Sequence, residues 1–298
     1  MLTGAIDGGG TKILTGVVAD DGTVVARREE LVVSRAIPDY FARCAAMLKA
    51  CVAEAGTTLE ALRGVGMSVP GMTDGRQVFG SPSAGWGAFS ALEQLQPLLG
   101  LPAERIRFEN DINACALAEL RLGGGGDDFV WLTVSTGNGG AVVANGSLVR
   151  GHRFCAGELG HLKVEFDHPC RCGCGAMGCL EAHASGPAIA RMAREAGLAV
   201  DAAGCAALVR EGNVAARRIY DRAGLYLGRA LAQVANALNI EKAYLGGGVS
   251  RSIDLLMPAL RAEFDRLVLP QCRDVTIERT RLGCDASLLG AASLIGNA

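Results

Sequence analysis

Aromatic side chains are scarce in this sequence, with 2 Trp, 4 Tyr and 8 Phe among 298 residues. Half of the residues are nevertheless apolar, so we expect a core filled mainly by Ala, Val and Leu. An excess of one charge is also missing, because 29 basic and 31 acidic residues are interspersed and give a net charge of −2. A nucleic-acid binder needs a basic stripe to neutralise phosphates, so we expect no nucleic-acid partner.

Long hydrophobic runs are missing as well. The apolar stretch at residues 230–240 is interrupted by Gln233, Asn236 and Asn239. We therefore expect no membrane-spanning helix and no membrane partner. The first residues enter a strand pattern directly, without the charged and apolar regions of a signal peptide, so we expect a cytoplasmic protein.

A strand–turn–strand pattern occurs twice. The two copies are residues 2–18, with the Gly-rich turn Asp7-Gly8-Gly9-Gly10-Thr11-Lys12, and residues 130–144, with the turn Ser135-Thr136-Gly137-Asn138-Gly139-Gly140. Each copy is followed by a dipeptide, Asp21-Gly22 or Asn145-Gly146, that favours a two-residue hairpin because both positions need positive φ. The copies predict one structural unit used twice.

The remaining segments alternate between strand and helix patterns. Further strands are expected at 64–69, 106–109, 242–245 and 275–282, and helices at 38–55, 91–98, 112–122, over most of 186–239, and from about residue 285. This alternation in two halves predicts an α/β protein with two similar lobes.

Each Gly-rich turn is a candidate phosphate cradle, because backbone N–H groups without a neighbouring Cβ can converge on one anion. The first turn leads into a strand and lacks a closing Gly-Lys-Ser/Thr, so it is neither a dinucleotide fingerprint nor a Walker A loop. The alternatives are ordinary Gly-rich hairpins and, for a third Gly-rich cluster at residues 246–250 after the strand at 242–245, helix packing. The candidate nucleotide-binding residues are Asp7, Gly8, Gly9, Gly10, Thr11, Lys12, Thr136, Gly137, Asn138 and Gly139, with Gly247 and Gly248 in the third cluster.

Asp111 is the candidate catalytic base. It follows the strand at 106–109 and opens a helix. One interpretation is a helix N-cap, a role that aspartate fills well. The other is a carboxylate that accepts the proton of a sugar hydroxyl as that oxygen attacks the γ-phosphate of ATP, with Asn110 orienting the sugar. Mg²⁺ would neutralise the phosphates, and Asp7 is its expected protein contact.

Four of the eleven cysteines, Cys170, Cys172, Cys174 and Cys179, lie within ten residues, and His161 precedes them. Thiolates and imidazole in a closed tetrahedral set are typical of structural Zn²⁺ sites. The fourth ligand is open at this point, because either His161 completes the set or Cys170 replaces it in a Cys₄ site. The other seven cysteines lie in apolar or helical segments and are interpreted as small buried hydrophobic residues.

Taken together, the motifs resemble the ROK family of sugar kinases over essentially the whole chain. Besides the Gly-rich turns, the matching motifs are Asn110-Asp111, Gly157-Glu158-Leu159-Gly160-His161 and Cys172-x-Cys174-Gly175-x-x-Gly178-Cys179-x-Glu181. The resemblance implies an α/β, two-lobed actin/hexokinase-like (ribonuclease H-like) fold with duplicated lobes and an interdomain cleft. We expect lobes at residues 1–115, completed by a C-terminal helix at 285–298, and at 116–284, with the zinc knuckle around 161–181.

The resemblance also implies roles for individual residues. Asp111 would be the base, Zn²⁺ would be held by His161, Cys172, Cys174 and Cys179, and sugar hydroxyls would be contacted by Asn110, Glu158, His161 and Glu181. The implied reaction transfers the γ-phosphate of ATP to a hexose, typically at the 6-hydroxyl, in a glucokinase- or fructokinase-like homodimer. The alternative is an N-acetylmannosamine or N-acetylglucosamine kinase. A sugar-responsive transcriptional regulator is more remote, because regulators of the family carry a helix-turn-helix domain before a Gly-rich turn that here begins at residue 7.

Two departures from the family pattern concern selectivity. Asn138 stands where the family has an aliphatic residue, so we expect altered nucleotide contacts. Ser83 stands where many sugar-specific members have Asn, so it is a candidate sugar-binding residue that leaves the identity of the sugar open.

Overall fold

The computed structural model describes residues 1–295 and divides into two units. The first unit comprises Met1–Gly125, Arg150–Ala156 and the chain from Leu282 onward, and the second comprises Gly126–Val149 and Gly157–Arg281. A boundary at residue 115 would cut the helix that follows Asp111, whereas these units keep that helix whole. Residues 296–298 of the segment predicted as the C-terminal helix lie outside the described residues.

The elements alternate along the chain. The strands are β1 (Leu2–Gly8), β2 (Lys12–Ala19), β3 (Val24–Leu31), β4 (Val65–Val69), β5 (Met72–Thr73), β6 (Gln77–Gly80), β7 (Phe89–Ser90), β8 (Ile106–Asn110), β9 (Phe129–Thr133), β10 (Gly140–Ala144), β11 (Ser147–Val149), β12 (Lys242–Gly246) and β13 (Thr276–Arg279). The helices are α1 (Ile37–Glu54), α2 (Ala91–Leu99), α3 (Asp111–Ala118), α4 (Leu180–Ala184), α5 (Gly186–Glu195), α6 (Ala202–Arg210), α7 (Val214–Leu238), α8 (Ile253–Leu267) and α9 (Ala286–Ser293).

Each unit contains a five-stranded mixed sheet with the same plan. The strand orders are β3-β2-β1-β4-β8 in the first unit and β11-β10-β9-β12-β13 in the second. In both sheets a three-stranded antiparallel meander is extended by two parallel strands. The predicted duplication and the α/β class are therefore confirmed.

The two hairpin dipeptides behave differently. Asn145 and Gly146 have φ values of 51° and 66°, as predicted for a two-residue turn. At the first hairpin only Gly22 is left-handed, with φ 84°, and Ala19 N–H donates to Thr23 O at 2.9 Å across a three-residue loop. The carboxylate of Asp21 accepts the Thr23 N–H at 2.9 Å, which stabilises this longer turn. The two-residue prediction for Asp21-Gly22 is therefore wrong.

Most predicted elements match within a few residues, but α4 and the following features were not predicted as they occur. The small sheet β5-β6-β7 has strands of two to four residues, too short for a periodic signal. Helix α8 was not predicted, and β13 is shorter than the expected strand at 275–282. Within residues 1–295, the helices lack the combination of length and apolar character that crossing a bilayer requires.

Helix α9 packs closely on β1, β4 and α3 of the first unit. A Cβ at Gly66 in β4 would overlap the carbonyl oxygen of Ala291, and one at Gly290 would overlap that of Ala114 in α3. In the second unit, Gly224 and Gly228 of α7 meet the backbone of α8 in the same way. Helices α9 and α8 are therefore packed through main-chain contacts that leave no room for a side chain.

We predict that Gly66→Ala lowers the melting temperature by several degrees, because α9 must shift to admit the methyl group. Such overpacking costs about 1–3 kcal/mol. Gly87→Ala is the matched control, since no atom lies within 4 Å of its Cβ position and its φ is not left-handed. Thermal unfolding followed by circular dichroism measures both variants, and equal melting temperatures would contradict the packing argument.

Candidate active site and metal centre

Asp111 lies at the carboxyl end of β8, as the first residue of α3. The N-cap of this helix is Asn110, whose Oδ1 accepts the N–H groups of Ile112 at 2.9 Å and Asn113 at 3.1 Å. The N-cap interpretation of Asp111 is therefore wrong. The Asn110 amide also donates to Gly71 O at 3.1 Å, which anchors the turn to the segment before β5.

The carboxyl group of Asp111 holds its proton unusually tightly. Burial, and secondly the negative charge of Asp7, raise its pKa from 3.8 to about 7. Burial also raises the pKa of Asp7, although hydrogen bonds from Ser287 and from Ser68 at 2.8 Å act in the opposite direction. Since β1, β4 and β8 are parallel neighbours, their carboxyl ends bring Asp7, Ser68 and Asp111 to one edge of the sheet.

The first Gly-rich turn connects β1 to β2 and is held through its carbonyl groups. Tyr40 Oη donates to Gly9 O at 2.9 Å, and the Arg35 guanidinium donates to Gly10 O at 3.0 Å. Lys12 Nζ lies 3.3 Å from Glu29 Oε1 in a half-exposed ion pair. Of the predicted nucleotide-binding residues in this turn, Lys12 is thus already paired with a carboxylate.

Ser83 lies on the surface beside this turn. It belongs to a tight loop in which Ser81 and Trp86 exchange backbone hydrogen bonds of 3.0 Å. Ser83 O is 4.0 Å from the position that a Cβ on Gly10 would occupy. The Trp86 indole donates to Arg35 O at 2.8 Å, so the same arginine residue contacts the turn and the loop. The predicted sugar-binding serine is therefore near the first phosphate-loop candidate.

In the second unit, the second Gly-rich turn packs against residues 157–161. A Cβ at Gly140 would lie 2.6 Å from Gly157 O, and one at Gly160 would overlap Asn138 O. Asn138 N–H also donates to Glu181 Oε2 at 3.1 Å. Glycine in Gly157-Glu158-Leu159-Gly160-His161 thus brings Glu158 and His161 beside the turn, and Glu181 reaches it from α4.

The side chain of Asn138 is buried within this turn, with 4% of its surface exposed. Neither its Oδ1 nor its Nδ2 has a hydrogen-bond partner among the described residues. Leaving buried polar groups unpaired costs about 1–3 kcal/mol each. Asparagine in place of an aliphatic residue at position 138 therefore destabilises the turn itself.

The third Gly-rich cluster follows β12 and contacts the start of the second turn. Gly247 has φ 85°, and a Cβ there would lie 2.6 Å from Val134 O. Val249 N–H donates to Val134 O at 3.0 Å, and Ser250 Oγ donates to Gly247 O at 2.8 Å. The second and third nucleotide-binding candidates are thus neighbours within one unit.

A metal-binding geometry is formed by His161, Cys172, Cys174 and Cys179, whose ligand atoms all lie within 4.8 Å of one another. Cys174 Sγ is 3.7 Å from Cys179 Sγ, and Cys172 Sγ is 3.7 Å from His161 Nδ1. Tetrahedral zinc with Zn–S bonds of about 2.3 Å requires sulfur–sulfur distances of about 3.8 Å, so the set fits Zn²⁺.

Cys170 lies outside this ligand set. Its sulfur accepts a hydrogen bond from the Arg191 guanidinium at 3.3 Å, and its N–H donates to His183 Nε2 at 3.1 Å. This arrangement favours His161 over Cys170 as the fourth ligand.

Sequence patterns missed several polar partners of the site. Lys163 Nζ donates to Cys179 Sγ at 2.7 Å, and this contact raises the pKa of the lysine. Ser68 and Ser287 hold Asp7, and Glu109 lies buried beneath Asn110. The strand pattern alone could have indicated Ser68 and Glu109 as site residues, because both lie near the carboxyl ends of parallel strands.

Comparisons with known proteins agree with these motifs. A glucokinase from Halalkalibacterium halodurans is 34% identical over 78% of this chain and 76% of its own length, and an N-acetylmannosamine kinase from Yersinia pestis is 30% identical over 97% and 96%. The structure of a ROK family glucokinase from Streptomyces griseus in complex with glucose and AMPPNP superposes with a TM-score of 0.80, at 30% identity and 99% coverage of both chains. The ROK family model matches residues 3–298, so this chain belongs to the ROK family.

Proposed function

We propose that the chain is an ATP-dependent kinase that phosphorylates a hexose and uses Asp111 as its catalytic base. The observation that carries the proposal is the Asp111 carboxyl group at the end of β8, which follows the Asn110 N-cap and whose pKa is raised to about 7. A base with a pKa near the working pH is suited to proton transfer. The relatives named glucokinase and N-acetylmannosamine kinase support the same class of reaction.

In the proposed reaction, Asp111 accepts the proton of a sugar hydroxyl as that oxygen forms a bond to the γ-phosphorus of ATP. The bond from this phosphorus to the β–γ bridging oxygen breaks, and ADP leaves with the electron pair. The 6-hydroxyl is the proposed acceptor, as the family resemblance implies. The proposed sugar-binding residues are Ser83, Asn110, Glu158, His161 and Glu181.

The three Gly-rich turns are proposed to bind ATP through their backbone N–H groups. Asp7 fits a contact to Mg²⁺, direct or through water, because Ser68 and Ser287 fix its carboxylate while its remaining lone pairs are suited to a hard cation. When bound, this ion supplies positive charge against the phosphates. The Asp7 carboxyl group, whose pKa is raised by burial, would then be ionised.

Zn²⁺ is proposed to bind His161, Cys172, Cys174 and Cys179 in a structural role. All four ligands come from the protein, which is typical of closed structural sites. Ligation through Nδ1 would fix the ring of His161, so that its other edge is oriented for the sugar. A homodimer is proposed from the family resemblance alone, and the cytoplasmic location expected from the sequence is likewise a proposal.

A coupled assay of ADP release over a panel of hexoses and N-acetylhexosamines tests the proposed function. We expect a hexose such as glucose, mannose or fructose to give the highest kcat/KM. N-acetylmannosamine as the preferred substrate would support the second candidate, which the Yersinia pestis relative favours. No turnover with any sugar at saturating Mg-ATP would contradict kinase function.

We predict that Asp111→Asn keeps sugar affinity and lowers kcat by about 10²–10⁴-fold, because a general base contributes about that much. Sugar affinity is measured by calorimetry and kcat by ADP release. Asp39→Asn is the control, since this aspartate also lies in the first turn of a helix and accepts a hydrogen bond from Ser34. Near-normal turnover in Asp111→Asn would overturn the assignment.

The same assignment predicts two opposite pH dependences. kcat/KM should rise with pH and level off above about 7, because only the ionised Asp111 accepts a proton. The free energy of unfolding should fall between about pH 4 and pH 7, because the folded state retains a proton that the unfolded state releases. Asp111→Asn should reduce this fall, and an unchanged stability profile in the variant would contradict the raised pKa.

For the metal, we predict about one equivalent of zinc per chain by elemental analysis. Cys174→Ser should reduce the zinc content and lower the melting temperature, whereas Cys170→Ser should retain the ion. Cys284→Ser is the control, at a cysteine outside the knuckle that is exposed, so the expectation of a buried cysteine is wrong there and at Cys155. Zinc loss in Cys170→Ser would favour the Cys₄ alternative, and metal-free wild-type protein with normal stability would exclude the site.

A further inference from the structure

Glu109 is a buried carboxylate directly before Asn110-Asp111, with 4% of its side chain exposed. Its Oε1 accepts the Asn110 N–H and the Asn113 side-chain N–H, each at 3.0 Å. Its Oε2 accepts a hydrogen bond from Arg150 Nε at 2.8 Å. One carboxylate therefore contacts the residue before Asp111 and a residue on the first turn after it.

These contacts hold the turn that carries Asp111. Asn110 spans it with its side chain, capping Ile112 and Asn113 and donating to Gly71 O. With its N–H fixed by Glu109, the residue before Asp111 is tied at both main chain and side chain. The position of the Asp111 carboxylate thus depends on the acceptor beneath it.

The charge that compensates Glu109 comes from a distant part of the chain. Arg150 begins the segment Arg150–Ala156, which belongs to the first unit although it follows β11 of the second. The segment is further attached where Phe154 stacks on Phe79 at 5.8 Å. Phe154 has φ 58°, a strained conformation for a large side chain, which indicates that these attachments determine its path.

We propose that Glu109 and Arg150 act as a positioning pair for the catalytic base, an inference that rests on the proposed kinase function. Glu109 orients the Asn110-Asp111 turn, and Arg150 holds Glu109 in its buried position through the hydrogen bond that its Nε donates. Neither residue touches substrate in this role. The chemistry remains with Asp111, whose alignment the pair sets.

The proposal predicts an unequal effect of the two single substitutions. Arg150→Gln leaves a buried carboxylate without its cation, which is far more costly than losing an exposed pair. Glu109→Gln preserves an acceptor for Asn110 and Asn113 and leaves Arg150, which is 43% exposed, facing solvent. The double variant Glu109→Gln/Arg150→Gln should therefore be more active than Arg150→Gln alone.

The experiment measures kcat, sugar KM and melting temperature for these three variants on the sugar that the wild type prefers. We expect Arg150→Gln to lower kcat about 10- to 100-fold with KM changed less than about threefold, since small misplacements of a reacting group cost that much. Arg150→Lys should recover part of the loss. Arg43→Gln, which breaks an exposed ion pair with Glu30, is the matched control and should keep wild-type kcat.

The outcomes separate this proposal from the proposed function. If the wild type phosphorylates no sugar, kinase function fails. If the wild type is active and Arg150→Gln keeps its kcat, or only its melting temperature changes, the pair is structural and the positioning role is overturned. If Arg150→Gln does not fold, the double variant and Arg150→Lys decide, because a kcat equal to that of the wild type in both would overturn the proposal.

Discussion

Direct contact between main chains, with no side chain between them, is the constraint on which both units depend. Gly66 and Gly290 admit α9 against β4 and α3, and Gly140 and Gly160 admit residues 157–161 against the second Gly-rich turn. Any other residue at these positions would force the segments apart. The site residues are therefore positioned by backbone contacts, which are less adaptable than contacts between side chains.

The sequence predicted the features of the fold that arise from local patterns. Alternation and the Asn145-Gly146 dipeptide predicted the two meanders, and apolar periodicity predicted α1 and α2 closely. Asp21-Gly22 was misjudged because a carboxylate can close a three-residue loop by accepting a nearby N–H, and a dipeptide rule does not include that bond. Helix α8 was missed although its Gly-mediated contact with α7 is a main feature of the second unit.

Motifs and their spacing predicted those site residues that lie close together in the sequence. The candidate ligand atoms of His161 and three cysteines lie within 4.8 Å of one another, and Asn110-Asp111 lies at a strand end. The sequence could not predict that Asn110 is the N-cap and Asp111 is not, because both residue types are good caps. Partners such as Arg150 and Ser287 were also hidden, since nothing in a sequence pattern indicates contacts made across 41 or 280 residues.

The first unit is assembled from stretches that are far apart in the chain, and this has a consequence for its synthesis. A ribosome releases β1 to β8 long before α9, yet α9 covers an apolar surface that includes Ala5, Leu14 and Val18. Until residues 286–293 emerge, that face of the nascent sheet stays uncovered while the whole second unit is being made. Nascent chains of this protein are thus expected to need protection from aggregation, and truncation before α9 should yield chains that are cleared by proteolysis.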